Sequence, residues 1–217
     1  MNGMNGMDML RVGIYGGTFA PVHNGHIYAI RQLISACQLD RLLIIPTKKP
    51  PHKEMSAEDD PIHRLQMLRL AFPEGDIQES GIEVCDFEIN SPSPSYTAIT
   101  LSHFAKEGRQ LTFFCGSDMF RTLDTWYRPD LIFSLARIVH IPRTDLSAQE
   151  WEELDRLTLH YEETYGARIS HLRIPPYPLS STEVRNCIAK GQPIDDLVPR
   201  AVAEYIALHG LYRKDEV

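Results

Sequence analysis

The sequence predicts an α/β protein: a Rossmann-like, doubly wound, mostly parallel sheet with helices on both faces. Three observations predict it. Short apolar runs of strand length alternate with segments of helical spacing along nearly all of the 217 residues. The opening segments "LRVGIYGG", "HIYAIRQLISACQL" and "RLLIIPT" read as one right-handed βαβ unit within residues 10–46. Two adjacent glycines, Gly16 and Gly17, fall at the first strand-to-helix junction, where such sheets place their ligands.

The elements follow in order. Residues 10–15 form a buried strand that ends in a glycine turn. In the next helix Ile27, Ile30, Leu33, Ile34 and Cys37 share a face. "RLLIIPT" is a second strand, closed by Pro46, and "KKPPHKEMSAEDD" is a polar loop. "PIHRLQMLRLAF" opens with proline after two aspartates, which starts a helix. "GIEVCDFEI" alternates as a strand does; "INSPSPS" is a loop, and "YTAITLSHFAKEG" a helix stopped by Gly108. "LTFFCGSD" is a buried strand running into a Gly-x-Asp turn, with a short helix around "MFRTLDTW". "ARIVHIPR" is a strand, "AQEWEELDRLTLHYEETYG" a charged amphipathic helix and "ARISHLRI" the last strand. Two helices close the chain, opening at "SSTEVR" and "PRAVAEYIALHG". Without a repeat or linker, residues 10–217 read as one domain and 1–9 as a flexible N-terminal extension.

Composition narrows the function classes. At 43% hydrophobic and 24% charged residues, the chain can bury a full core without disulfides. Cys37, Cys85, Cys115 and Cys187 form no CxxC, so buried thiols in a reducing compartment are expected. A net charge of -7 disfavours non-specific nucleic-acid binding, which neutralises many phosphates. No stretch approaches the roughly 20 apolar residues of a membrane helix, and "MNGMNGMDML" lacks the basic end and apolar core of a signal peptide. These features predict a cytoplasmic protein with no nucleic-acid or membrane partner; a homo-oligomer is compatible with them.

Chemistry concentrates in "GGTFAPVHNGH", residues 16–26. Glycines at a strand end let a bulky anion approach the backbone, and the following helix N-terminus favours phosphate. His23 and His26, separated by Asn24 and Gly25, could donate to phosphate oxygens and stabilise charge in phosphoryl or nucleotidyl transfer. Read alone, the segment is more plainly an ordinary glycine-rich turn with two surface histidines. No nearby Cys, Asp or Glu completes a metal ligand set. Neither GxGxxG nor GxxxxGK[ST] occurs here. At "LSSTEVR", residues 179–185, Ser181 or Thr182 can cap a helix, and Arg185 lies one turn in, where a guanidinium reaches phosphate. Asp118 ends a strand, a position suited to ribose or nucleotide contacts. For Trp126 core packing is the plainer reading.

"GGTFAPVHNGH" resembles the signature of the nucleotidyltransferases that carry a His-x-Gly-His element. The double-histidine form, the chain length and the later motifs are similar to bacterial nicotinate-nucleotide adenylyltransferases. "LSSTEVR" is similar to the family's second signature, "PTKKPPHK" to its loop after the second strand, "PSYTAITL" to its Pro-Ser-Tyr-Thr segment, and "GSDMFRTLDTW" to its Gly-x-Asp…Trp segment. The likeness runs from about residue 10 to 212. It implies transfer of AMP from ATP to nicotinate mononucleotide, with Mg²⁺ carried by ATP. His23, His26 and Arg185 would be catalytic. Gly16, Gly17, Thr18, Phe19, Gly116, Asp118, Ser181 and Thr182 would hold the nucleotide. Lys53, Tyr96, Thr97 and Trp126 would serve the acceptor. Ala20, Ser91, Ser93 and Ile99 depart from residues common in the family. Two other functions stay open at this level: a sister transferase with nicotinamide mononucleotide or phosphopantetheine as acceptor, and a noncatalytic nucleotide sensor.

Overall fold

Residues 9–49, 60–73, 80–106, 108–142 and 144–213 are described by a computed structural model of the chain. Among them six strands form one sheet: β1 (Leu10–Gly17), β2 (Arg41–Pro46), β3 (Ile82–Val84), β4 (Arg109–Gly116), β5 (Ala136–Ile141) and β6 (Ile169–His171). Every pairing is parallel, in the order β3-β2-β1-β4-β5-β6. The order reverses between β1 and β4, so a crevice opens beyond their carboxyl ends. The helices are α1 (Asn24–Ala36), α2 (Pro61–Ala71), α3 (Phe87–Asn90), α4 (Thr97–Phe104), α5 (Ser117–Phe120), α6 (Pro129–Leu135), α7 (Ala148–Tyr165), α8 (Ser181–Ala189) and α9 (Arg200–His209), with a 3₁₀ turn at Leu123–Thr125.

Both faces of the sheet are covered, because alternate residues of each strand point to opposite sides. Leu42, Ile44, Phe114 and Val139 pack with Ile30 and Leu33 of α1, Met67 of α2 and Val202 of α9. Leu43, Ile45, Phe113 and Ile138 pack instead with Leu101 of α4, Phe133 of α6 and Leu154 and Tyr161 of α7. The expected doubly wound sheet is therefore the observed one. The four cysteines are free, and among the described residues no helix is long and apolar enough to cross a membrane.

Several expected boundaries differ. β1 continues through Gly16 and Gly17, which pair with Ile45 and Pro46 of β2; the turn into α1 begins at Thr18. β3 is three residues long, not nine, and Phe87–Asn90 turns into α3. Cys85 still donates to Ile44 O (2.9 Å), but the next bond from β2 would need an N–H on Pro46, which has none. α4 ends at Phe104; Gly108, at φ +78°, forms the turn into β4 rather than the helix stop. The segment around "MFRTLDTW" divides into α5 and the 3₁₀ turn. α6 was not foreseen from the sequence, although Pro129 marks its first turn. Residues 1–8 of the expected N-terminal extension lie outside the described residues.

Candidate active site

The site is built where β1 hands the chain to α1. His23 is the N-cap of α1, extended at φ -145°, and His26 stands in the first turn. His23 is buried (3% exposed), and the two imidazoles face each other with ring centroids 3.7 Å apart. His23 N–H donates to Nδ1 of His26 (3.3 Å). A nitrogen that accepts carries no proton, so the neutral His26 ring has its hydrogen on Nε2, as a donor. Phe19 holds that ring edge-on from the other side, at 5.1 Å between centroids.

The glycines answer to space rather than to dihedral angles. A Cβ on Gly17 would sit 2.9 Å from the Phe19 ring, and one on Gly25 3.1 Å from His23. A Cβ on Gly16 would meet nothing within 4 Å, so Gly16 leaves open room beside the cleft.

From the other end of the chain, α8 docks onto the same turn. Arg185 donates through Nη1 to Ala20 O (2.6 Å) and through Nη2 to Thr182 Oγ1 (3.2 Å). Ser181 Oγ donates to Pro21 O (3.0 Å). The expected cap is corrected by one residue: Ser180, not Ser181 or Thr182, is the N-cap. Its hydroxyl accepts from Glu183 N–H (3.2 Å), while the Glu183 carboxylate accepts the Ser180 amide (2.6 Å) and hydroxyl (2.7 Å). The hydroxyl first, then the amide, hold the Glu183 carboxyl below its ordinary range. Because Ser180 does the capping, the hydroxyl of Ser181 serves to dock α8 on Pro21 O, and that of Thr182 accepts from Arg185 while keeping its own proton to donate. The Ser-x-x-Glu pattern was present in the sequence and signalled this register.

His23, His26 and Arg185 thus line one cleft, of about 560 Å³, with Gly16, Gly17, Thr18, Phe19, Gly116, Ser181 and Thr182. The N-termini of α1 and α8 both open onto it, and the partial positive charge of a helix N-terminus favours an anion there. Sequence reasoning missed other parts of the lining: Met119, Ile141, Pro142, Thr144 and the stretch from Ile174 to Pro178. The prolines at 175, 176 and 178 and the exposed Tyr177 gave a signal as a rigid, partly apolar segment just ahead of the second motif.

The remaining predicted residues stand elsewhere. Asp118 is exposed in the first turn of α5 and does not line the cleft. Tyr96 stacks on Tyr127 (centroids 4.7 Å apart) at the start of α4, beside Thr97. Trp126 is half-buried, edge-on to Phe113 at 6.4 Å, with its indole N–H donating to Thr122 Oγ1 (3.2 Å). Tyr96, Thr97 and Trp126 are likewise outside the cleft lining. Lys53 lies outside the described residues. Hydrogen bonds nonetheless connect the two regions. Thr47 N–H donates to Gly17 O (2.9 Å), and Lys48 N–H to Ser95 Oγ (3.0 Å), next to Tyr96.

The chain is similar in sequence and fold to known proteins. A family model described as cytidylyltransferase-like matches residues 14–187. A curated protein of Clostridium kluyveri, described as a probable nicotinate-nucleotide adenylyltransferase, is 32% identical over 207 residues, covering 94% of this chain and all of that one. A protein of Roseiflexus sp. with the same description is 36% identical over 208 residues, covering 95% of this chain and all of that one. In fold, the chain is similar to the Plasmodium falciparum nicotinic acid mononucleotide adenylyltransferase complexed with NaAD (TM-score 0.69, 18% identity, 93% of this chain and 97% of that one).

Proposed function

The chain belongs to the cytidylyltransferase-like family and, within it, to the nicotinate-nucleotide adenylyltransferases, and from that premise we infer that it transfers the adenylyl group of ATP to nicotinate mononucleotide. The products are nicotinate adenine dinucleotide and pyrophosphate. One observation carries this reading. Two imidazoles from one end of the chain and a guanidinium from the other line the same cleft, between two helix N-termini. Its volume lies within the roughly 300–1,000 Å³ of small-molecule sites.

The chemistry needs little from the protein beyond placement. An oxygen of the acceptor's 5′-phosphate attacks the α-phosphorus of ATP in line. The bond from that phosphorus to the bridging oxygen breaks, and pyrophosphate leaves with the electron pair. The nucleophile is anionic at neutral pH, so no general base is required. His23 and His26 are assigned to the triphosphate, where Nε2–H of His26 can donate to a phosphate oxygen. Arg185, Ser181 and Thr182 are assigned to its outer phosphates, with Gly16–Phe19 and Gly116 along the nucleotide. Positioning and charge neutralisation then supply the rate. Lys53, Asp118, Tyr96, Thr97 and Trp126 keep their assigned roles as proposals. Magnesium arrives as part of the ATP substrate. Among the described residues no group of three His, Cys, Asp or Glu side chains is placed to hold a metal ion. Four free thiols fit a cytoplasmic setting.

The test is pyrophosphate release from ATP with nicotinate and nicotinamide mononucleotides side by side. Faster turnover with the nicotinate form is expected. Release with phosphopantetheine alone would reassign the acceptor, and ATP binding without release for any acceptor would make the protein a sensor.

A further inference from the structure

Arg64, on α2, is fully buried (0% exposed). Its neighbours Leu65, Met67 and Leu68 are buried apolar side chains, so a methionine or leucine would fill this place without taking a charge out of water. What the guanidinium provides is a pair of directed donors. Nη1 donates to Thr18 O (2.7 Å) and Nη2 to Lys48 O (3.2 Å). These carbonyls belong to different segments: Thr18 follows β1 and lines the cleft, and Lys48 follows β2.

Each carbonyl is one end of a peptide group whose other end matters. The N–H of the Thr18–Phe19 peptide belongs to Phe19 and points opposite to the carbonyl that Arg64 holds. Phe19 lines the cleft and has φ +52°, a left-handed conformation that phenylalanine adopts only where its surroundings impose it. On the second arm, Lys48 N–H donates to Ser95 Oγ (3.0 Å) and its ammonium to Ser91 O (2.9 Å). Ser95 directly precedes Tyr96 and Thr97, and Ser91 opens the same segment. Arginine reaches two acceptors at once because its donors sit in a fixed plane; a lysine ammonium is a single point.

We propose that Arg64 is a positioning residue that couples the two substrate regions, holding the Thr18–Phe19 peptide in place for the triphosphate and, through Lys48, the Ser91–Thr97 segment for the acceptor. The proposal rests on the adenylyl-transfer reading above for the identity of the two substrates. Occupation of one region then stiffens the other, so each substrate binds more tightly in the presence of its partner.

The experiment compares wild type with Arg64→Lys, using thermal melts, steady-state kinetics, and calorimetry with the α,β-methylene analogue of ATP and with nicotinate mononucleotide, separately and together. The variant is expected to melt cooperatively and to lose about 100-fold in kcat/KM for ATP, the scale of a small misplacement. Wild type should bind the acceptor roughly fivefold or more tightly once the analogue is bound, and the variant should lose that gain. Unchanged KM for both substrates in Arg64→Lys would overturn the proposal. If Arg64→Lys does not fold, Ser95→Ala decides. It releases Lys48 on the acceptor side, and its affinity for the ATP analogue alone should fall severalfold; an unchanged affinity overturns the coupling. Should wild type bind the analogue but release no pyrophosphate with nicotinate mononucleotide, the adenylyl-transfer reading falls. The analogue affinities of wild type and variants then still decide the role of Arg64.

Discussion

At the scale of the residue, His26 carries the sharpest expectation. Its Nδ1 is engaged by the His23 amide, so the ring has one donor to give, on Nε2. Replacing it by alanine removes that donor while leaving a partly exposed position that the core does not need. Turnover of the His26→Ala variant is expected to fall by about 10²–10³-fold, the range for losing one preorganised donor. Its melting temperature should stay within a few degrees of wild type. Pyrophosphate release and a thermal melt on the same sample check both halves. Arg185→Lys is expected to act chiefly through KM for ATP, raising it about tenfold, because lysine cannot hold Ala20 O and Thr182 together as the guanidinium does. Titration of initial rates against ATP tests it; a rise confined to the acceptor's KM would move Arg185 to the other substrate.

At the scale of the element, the first turn of α8 is both a structural and a chemical device. Ser180 and Glu183 satisfy each other's backbone N–H groups, which stabilises the turn that carries Ser181, Thr182 and Arg185. Ser180→Ala is expected to cost about 1 kcal/mol of stability and to raise KM for ATP more than KM for the acceptor. Urea denaturation and two-substrate kinetics measure these. Glu183 adds a pH dependence. Its folded pKa is depressed, so its share of the cap is present above the ordinary carboxylate range and fades as acid protonates it. The sequence showed this helix and its arginine plainly, but the register of the cap was set one residue late. Three consecutive residues, Ser180, Ser181 and Thr182, are all good caps. Only docking against Pro21 shows that the hydroxyl of Ser181 is already committed.

At the scale of the whole molecule, a hydrogen-bond chain crosses from the crevice end of β4 to α7. Ser117 Oγ meets His140 Nε2 (2.9 Å), His140 Nδ1 meets His171 Nδ1 (2.9 Å), and His171 Nε2 meets Thr158 Oγ1 (3.0 Å). Thr158 donates its own proton to Leu154 O (2.8 Å), and that fixes the direction of every other bond. With a neutral ring, His171 carries its proton on Nε2 and accepts at Nδ1, so His140 donates from Nδ1 and accepts from Ser117. Burial above all, then the repulsion a second proton would meet from a protonated His171 and from Arg121, push the His140 pKa down to about 4 from 6.5; burial also lowers that of His171, so both rings are neutral at pH 7. An unfolded chain takes up protons at these histidines before the folded one does. The histidines' contribution to stability is consequently expected to fall as pH drops from about 6.5 toward 4 and to level off below that, where the folded state is protonated too. Urea midpoints at pH 5 and 7 should differ by less in His140→Gln than in wild type. Parallel pH curves for the two would sink this account.

The sequence by itself determined the alternation of strands and helices, the doubly wound class and the two motifs that line the cleft, because hydrophobic period and helix-start chemistry are local and survive without tertiary context. It could not determine where a strand stops when its neighbour's proline withholds an N–H, as at Pro46 beside β3. Nor could it show that Arg64, one more cation in "PIHRLQMLRLAF", is buried beneath two loops. The meeting of His23 and His26 with Arg185 was likewise decided by the tertiary structure alone. Those residues are far apart along the chain, and only the packing of α8 against the turn after β1 brings them to one cleft.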